Sequence, residues 1–285
     1  MGFRAATAED VPAIAAFLRD HADQAMYPLS NLLSDGLGRE TALQMRFWLR
    51  ENDGNITGAL GLSGQGFLLP MMPDADDKDW RGVLCGLGGE TVIGIIGETH
   101  QARACISMAG LDRAAKFLDD DEPGFALDLA RLNVPTRAGA RLKAPDQSDR
   151  AQLIGWRADY HAEVLGTSPD QAQALAEKDI DLYLDRDSHR ILLQDGSPVA
   201  MTGFTAALPD IVQIGGVYTP PALRGRGHAR CALALHLVEA RRHGAERAVL
   251  FAANEPAVRA YRALGFLPAG SMSAIIFAEP QAIRT

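Results

Sequence analysis

The chain has 285 residues, of which 47% are hydrophobic and 22% are charged, so it can bury the core of one large domain or of two modest ones. Its net charge is −8 and it has no long basic block, which excludes an extended nucleic-acid-binding track. It has neither an apolar signal-like segment at its start nor an apolar run long enough to span a bilayer, so we expect a cytoplasmic protein that does not bind membranes.

The sequence offers no recognisable metal or redox site. Cys85, Cys105 and Cys231 lack the CxxC spacing of such sites and lie among apolar neighbours, which predicts reduced and buried thiols. Two acidic groups, at 74–79 and 119–122, are typical of solvated loops rather than of metal ligands. We therefore expect no bound metal.

The first half of the chain predicts a mixture of strands and helices. A short strand and an amphipathic helix occupy 3–21. Glycine alternates with apolar residues over 56–69, which predicts two strands joined by a tight turn, and 83–96 continues the strand-like pattern. A helix over 98–111 and a strand over 125–135 complete this half.

The pattern restarts after the small, polar segment 136–140. Residues 140–166 predict a short strand and a helix, and 171–184 predict another helix. Residues 191–207 read as a hairpin with Asp195-Gly196 at its turn.

The restart suggests an internal repeat. The sequence Ala-Arg-Ala-Cys at 102–105 is similar to Ala-Arg-Cys-Ala at 229–232, and Arg4 with Asp10 matches Arg141 with Asp149. We therefore expect a duplicated α/β unit with domains at 1–135 and 138–285, although a single larger domain stays open.

The segment 211–237 carries the strongest chemical signal. An apolar, β-branched strand is interrupted by Gly215-Gly216, which predicts a β-bulge. Two prolines follow, and then the basic run Arg224-Gly225-Arg226-Gly227, here called the glycine turn, precedes a helix rich in alanine and leucine. Helix N-termini present unpaired N–H groups, and glycines let an anion approach them. The glycine turn therefore predicts a phosphate site.

The first half lacks such a turn. If the repeat is real, the matching position is 96–99, which offers one glycine, no arginine and the carboxylate of Glu98. A carboxylate would repel a phosphate, so we expect the first half to have no anion site and to serve a structural or substrate-shaping role.

A second set of polar residues follows the next strand. Residues 248–252 predict a short buried strand, parallel to its neighbour across the helix. Asn254 follows at its carboxyl end, where ligands gather in open α/β sheets, and Tyr261 lies on the short helix that runs from Pro256 to Gly265.

Two other nucleotide-binding motifs fit the glycine turn poorly. The dinucleotide fingerprint requires a third glycine where Arg230 stands, and a single βαβ unit is too small for that fold, although Glu246 has a suitable spacing for a ribose contact. A P-loop is excluded because Gly-Lys-Ser/Thr is absent.

The second half resembles the GNAT family of N-acetyltransferases over about 138–285. The family's cofactor motif, Arg/Gln-x-x-Gly-x-Gly/Ala, is matched by Arg224-Gly225-Arg226-Gly227-His228-Ala229. Its later signature, Asn-x-x-Ala-x-x-x-Tyr-x-x-x-Gly-Phe, is matched from Asn254 through Ala257, Tyr261 and Gly265 to Phe266. The resemblance implies an α/β fold with a mixed sheet, as a tandem GNAT-like acyl-CoA N-acyltransferase whose first half, 1–135, is a degenerate GNAT-like domain.

The resemblance also implies acetyl-CoA as the acetyl donor and the residues that bind it. The pyrophosphate would lie on the backbone amides of residues 225–230, which include Arg226, His228, Ala229 and Arg230, with Arg224 beside them. The pantetheine arm would pair with the strand at Val217 and Tyr218, and Asn254 would contact the cofactor. The bulge amide of Val217 would stabilise the oxyanion, and Tyr261 would protonate the departing thiolate.

The acceptor and the general base are not fixed by the sequence. The resemblance implies a primary amine of a small molecule or peptide, and an amine of lysine type needs help to lose a proton near neutral pH. Candidate bases are Glu163, His161, Tyr160 and Tyr218, although each of them alone fits a packing or surface role better than that of a base. Trp156 and Tyr160 lie one helical turn apart and could line an acceptor pocket.

The lack of an obvious base leaves an alternative function open, a non-catalytic module that binds or senses acyl-CoA. A nucleotide-dependent oxidoreductase rests on the partial glycine fingerprint alone. We expect no nucleic-acid or membrane partner, and a homodimer stays open.

Overall fold

The computed structural model describes residues 2–283. The chain forms two compact units, the first made of Met1–Pro123 with Gly270–Thr285 and the second of Gly124–Ala269. These bounds differ from 1–135 and 138–285, because the end of the chain belongs to the first unit and residues 124–137 belong to the second.

The secondary structure alternates between helices and strands along the described residues. The helices are α1 (Val11–Asp20), α2 (Ala22–Asp35), α3 (Asp77–Cys85), α4 (Thr99–Met108), α5 (Arg150–Leu165), α6 (Pro169–Asp185), α7 (His228–Arg242) and α8 (Glu255–Leu264). The strands are β1 (Gly2–Ala5), β2 (Met45–Asn52), β3 (Asn55–Ser63), β4 (Phe67–Met71), β5 (Thr91–Glu98), β6 (Lys116–Asp128), β7 (Ala140–Lys143), β8 (His189–Gln194), β9 (Ser197–Ala207), β10 (Ile211–Tyr218), β11 (Arg247–Phe251) and β12 (Leu267–Ala282).

The first unit is a mixed sheet with helices packed against it. Its strands lie in the order β1-β2-β3-β4-β5, and residues 272–276 of β12 pair antiparallel with β5. β4 and β5 are parallel, and α3 forms the crossover between them. Trp48, Trp80 and Ile95 are among the residues of its main buried core.

The second unit repeats this plan. Its strands lie in the order β7-β8-β9-β10-β11, and residues 124–128 pair antiparallel with β11. β10 and β11 are parallel with α7 as their crossover. Alternate residues of β8 face opposite sides, because Ile191 packs with α5 and α6 whereas Leu192 packs with α7.

Each unit also has an ion pair between the first strand in its sheet order and the residue before its first α-helix. Arg4 on β1 pairs with Asp10, the residue before α1, at 2.6 Å, and Lys143 on β7 pairs with Asp149, the residue before α5, at 2.7 Å. The sequence match of Arg4 to Arg141 was therefore wrong by two residues, since Lys143 occupies the equivalent position.

The structure also corrects the position that matches the glycine turn. Residues 96–99 join β5 to α4, whereas the parallel crossover equivalent to β10–α7–β11 begins at the N-terminus of α3. There Asp76 caps the helix by accepting the Asp79 N–H at 2.9 Å, and Asp77 lies in the first turn. Carboxylates lie at this helix start and would repel an anion. It is therefore even less suited to bind a phosphate than residues 96–99 are.

Three other expectations need correction. Residues 77–85 form a helix, although 83–96 was predicted to be strand-like and 74–79 a loop. The strand predicted at 125–135 is β6, which ends at Asp128. Cys85 is exposed, whereas Cys105 and Cys231 are buried as predicted.

The hairpin at 191–207 is confirmed, with Asp195 and Gly196 at positive φ of 51° and 85°.

Candidate functional site

Two neighbouring strands of the second unit diverge close to the glycine turn. β10 and β11 pair from 211–213 against 247–249. Beyond this point the described pairing between them ends, although β10 continues to Tyr218 and β11 to Phe251. The carboxyl-terminal halves of the two strands therefore keep backbone groups that another extended chain could pair with.

The predicted bulge lies in the diverging part of β10. Four residues of β10, 215–218, oppose three of β9, 201–203. Gly216 adopts φ of 63°, a left-handed conformation that favours glycine. An extra residue bends a strand and re-aims its backbone amides, so this is the place where Val217 can turn away from the sheet.

The glycine turn leads directly into α7. Gly225 and Gly227 adopt φ of 76° and 74°, and Gly227 is the N-cap residue. The first helical hydrogen bond runs from the Cys231 N–H to the Gly227 carbonyl at 3.0 Å. The amides of 228–230 precede this bond and have no acceptor within the helix, so the predicted anion-binding geometry is present.

An arginine that the sequence interpretation missed lies beside this turn. Arg137 donates from Nη1 to the Arg226 carbonyl at 2.6 Å and from Nε to Gln194 Oε1 at 2.6 Å. A β-carbon placed on Gly227 would lie 3.8 Å from Arg137 Nη1 and 3.7 Å from Arg230 Nη2. Two guanidinium groups therefore face the helix start. Nothing in the local sequence predicts this, because Arg137 lies in the segment taken as a domain boundary.

His228, the first residue of α7, lies in the same positively charged region. It is buried at the first position of α7, and its Nδ1 has no hydrogen-bond partner among the described residues. Burial lowers its pKa, and the charges of Arg137 and Arg226 lower it further. The imidazole is therefore neutral near pH 7, and an anion at this position would offset the two arginines.

Arg224 is directed away from the start of α7. Its Nη2 donates to Glu163 Oε2 on α5 at 2.5 Å, and its Nε donates to the Thr219 carbonyl at 2.9 Å. The guanidinium also lies 5.6 Å from the Tyr218 ring centre. Arg224 is thus already paired with a carboxylate, and the charge at the helix start comes from the other arginines.

Tyr218 ends β10 as a buried residue. Its hydroxyl donates to Asp159 Oδ2 at 3.3 Å, and its ring lies 6.3 Å from the Trp156 ring. Burial and the nearby carboxylates of Asp159 and Glu163 raise the pKa of Tyr218 to about 12. The phenol therefore stays protonated near pH 7, which argues against Tyr218 as the base.

The remaining base candidates on α5 are largely engaged. His161 is buried, and its Nε2 lies 2.9 Å from Asp179 Oδ2 on α6. Arg157 also binds Asp179 at 2.6 Å and stacks over the Tyr160 ring at 4.6 Å. Asp159, which the sequence interpretation overlooked, is exposed beside Tyr218. Asp159 lies next to Tyr218 because α5 packs on β10, a contact between distant segments that the local sequence does not predict.

Tyr261 lies on α8 as predicted, and Asn254 lies between β11 and this helix. Asn254 is the N-cap residue, and its Oδ1 accepts the Ala257 N–H at 3.0 Å, so its first role is to start the helix. Tyr261 is half-buried, 6.0 Å from the Phe266 ring. Val217 and Tyr261 pack against the same buried cluster, which brings the bulge and this hydroxyl-bearing helix to one core.

The described residues contain neither a membrane-spanning helix nor a cluster of metal ligands. Between residues 2 and 283 no helix combines the length and apolar character that crossing a membrane requires. Nor does the described part of the chain gather three or more His, Cys, Asp or Glu side chains into a group that could hold a metal ion.

A family model matches the part of the chain that holds this site. Residues 151–266 match the model of the acetyltransferase (GNAT) family, a range that contains the bulge, the glycine turn, Asn254 and Tyr261. A sequence search of curated proteins found no match.

Solved structures share the fold over nearly the whole chain. An acetyltransferase of the GNAT family from Colwellia psychrerythraea is 14% identical with a TM-score of 0.57, over 97% of this chain and 100% of the other. A GNAT-type N-acetyltransferase from Sphaerobacter thermophilus is 17% identical with a TM-score of 0.55, over 99% and 96%. A tandem GNAT protein from the clavulanic acid biosynthesis pathway is 16% identical with a TM-score of 0.51, over 98% and 99%. The duplicated fold is therefore that of tandem GNAT proteins.

Proposed function

We propose that this chain, whose residues 151–266 match the GNAT acetyltransferase family, transfers the acetyl group of acetyl-CoA directly to a primary amine of a small molecule or peptide. The observation that carries the proposal is the divergence of β10 and β11 next to an arginine-lined helix start. An extended thioester arm and a phosphate group need these two features side by side.

The helix start suits the pyrophosphate of coenzyme A. The amides of 228–230 are unpaired within α7, and Gly227 leaves room in front of Arg137 and Arg230. Charge-assisted hydrogen bonds from guanidinium groups and oriented amides are the usual means of holding a phosphate. Arg226 and His228 complete this surface, and Asn254 keeps its Nδ2 for a contact at the end of β11.

The bulge suits the thioester. Acetyl-CoA supplies an activated carbonyl whose oxygen gains negative charge as the amine attacks. The Val217 amide follows the left-handed Gly216 and would donate to that oxygen, which stabilises charge that develops during the reaction. Tyr261 would give its hydroxyl proton to the departing thiolate.

The proton released by the amine needs an acceptor. Tyr218 holds its own proton near pH 7, and His161 is paired with Asp179. Glu163 is paired with Arg224, so the exposed carboxylate of Asp159 is the better candidate on α5. We place the acceptor against this part of α5. The first unit, which starts α3 with carboxylates, would bind no cofactor and would shape the acceptor side or support the fold.

A thiol-release screen tests the proposal. Acetyl-CoA is offered with amino acids, polyamines, aminoglycosides and peptides, and free thiol is measured. We expect release with at least one class of amine. If acetyl-CoA binds but no amine releases thiol, the chain is instead an acyl-CoA binding module.

Gly227→Ala tests the phosphate contact when acetyl-CoA binding is measured by calorimetry. Its methyl group would make only ordinary contacts at 3.7–3.8 Å with the two guanidiniums but would stand where a phosphate meets them. Gly244→Ala is the matched control, because Gly244 follows the other end of α7 and also has positive φ, 105°. We expect loss of acetyl-CoA binding in the first variant alone, and equal binding in both would contradict the assignment.

A further inference from the structure

A fully buried histidine lies directly against the bulge of β10. His189, at the start of β8, has no exposed surface. A β-carbon placed on Gly216 would lie 2.6 Å from His189 Nε2, and one placed on Gly203 would lie 2.1 Å from the same ring. Real β-carbons do not approach other atoms so closely, so the ring occupies space that only two glycines can leave free.

The ring is held on its other side as well. It stacks on Tyr183 of α6 with ring centres 3.5 Å apart and planes 13° from parallel. Its Nδ1 lies 2.8 Å from Ser188 Oγ, while its Nε2, on the side of Gly216, has no hydrogen-bond partner within the described residues. Burial lowers the pKa of His189 well below its ordinary value, with Arg157 and His236 adding to the effect, so the ring is neutral.

Tyr183 links this histidine to the helices on the acceptor side. The Arg157 guanidinium lies 5.6 Å from the Tyr183 ring centre and binds Asp179 of α6 at 2.6 Å. The packing thus runs without interruption from α5 and α6 through Tyr183 and His189 to Gly216.

The bulge needs support of this kind. On the side of β11 the pairing of β10 stops at Gln213, before the bulge begins. A positive φ and an extra residue make the backbone at 215–218 less regular than a paired strand. A rigid ring packed against Gly216 restricts where this backbone can go.

We infer that His189 is a positioning residue for acyl transfer, whose ring fixes the β10 bulge and with it the direction of the Val217 amide. This inference rests on the proposed function, because the amide matters only if it meets the thioester oxygen. A displacement of about 1 Å at a reacting group costs up to about 100-fold in rate.

Two substitutions remove this support in different ways. His189→Ala deletes the ring. Gly203→Ala leaves β10 untouched, but its methyl group takes the place of the ring and displaces it. For each we expect kcat to fall about 10- to 100-fold, with the KM for acetyl-CoA changing less than about threefold. Because both act through one ring, the double variant should be no slower than His189→Ala.

His236→Ala is the matched control. His236 is also a buried histidine with an unpartnered Nδ1, and it stacks on Phe204 at 3.9 Å, but it lies on α7. His236→Ala should lower thermal stability about as much as His189→Ala does, while leaving kcat within about twofold of the native protein. Thermal melting of all variants checks folding, and Gly203→Ala remains informative if His189→Ala does not fold.

Binding measurements separate this inference from the proposed function. Calorimetry gives the ratio of the Kd for CoA to the Kd for acetyl-CoA, which reports contacts of the acetyl group without turnover. His189→Ala and Gly203→Ala should change this ratio about two- to threefold, and His236→Ala should leave it unchanged. If no amine is acetylated by the native protein, the proposed function fails while the ratio still tests the bulge. Unchanged ratios and unchanged kcat in both variants would overturn the role of His189.

Discussion

Arg137 donates a 2.6 Å hydrogen bond to the carbonyl of Arg226, although 89 residues separate them in sequence. The bond fixes the glycine turn from outside and directs a second guanidinium toward Gly227. Arg137→Ala should therefore weaken acetyl-CoA binding about tenfold, equivalent to about 1.4 kcal/mol. Calorimetry measures this directly.

The control for Arg137 is Arg241, which lies on the same unit and donates to the Leu129 carbonyl at 2.9 Å. Arg241→Ala removes a similar backbone contact at the far end of α7 and should leave the affinity for acetyl-CoA unchanged. An equal loss in both variants would mean that Arg137 acts only on stability.

The residue bounds of the two units predict which fragments of the chain fold. Residues 124–128 pair with β11, and Phe125, Leu127 and Leu129 are buried in the core beneath α7. A chain that begins at 138 would lose three buried apolar side chains, each worth about 1.5–3 kcal/mol, and a whole strand partner. It should fail to give a cooperative melt by circular dichroism. A fragment of 124–269 keeps these groups and should melt more cooperatively, and the opposite order would contradict the division into units.

Buried histidines predict a fall in stability at mildly acidic pH. Burial, with Arg190 adding to it, lowers the pKa of His236 to about 3, whereas the unfolded value is about 6.5. Between these values the unfolded chain binds a proton that the folded chain does not. The free energy of unfolding therefore falls as pH drops below about 6.5, by about 1.4 kcal/mol per pH unit for each such histidine.

The pKa values of His189 and His228 shift in the same direction, so three histidines contribute to this slope. Urea unfolding between pH 6.5 and 5 measures it. His236→Phe keeps a ring stacked on Phe204 and removes one of the three contributions, so the slope should become shallower. An identical slope in His236→Phe would show that the imidazole is not buried in its neutral form.

Local sequence signals account for the parts of the site that lie close together in the chain. The bulge, the glycine turn, Asn254 and Tyr261 each follow from residue types at fixed spacing on one strand or one helix. The sequence also contains a signal for helix α3, because Asp76 and Asp79 have the spacing of a capping box.

The other parts depend on pairing between distant segments. Arg137 reaches the turn because β7 pairs with β8, where Gln194 holds its guanidinium. His189 meets Gly216 across an intervening strand, at Gly203. No spacing rule in one sequence relates such residues, since their distance is set by the order and register of strands in the sheet.

The last prediction concerns the hydroxyl group of Tyr261. Its position beside the core that also holds Val217 suits a proton donor at the diverging strands. Tyr261→Phe keeps the ring packed near Phe266 but removes the hydroxyl, so the affinity for acetyl-CoA should stay unchanged while kcat falls about 10²- to 10⁴-fold. Tyr27→Phe in the first unit is the matched control and should leave both quantities unchanged. Full turnover in Tyr261→Phe would mean that a water molecule or another group protonates the thiolate, because the ring alone donates no proton.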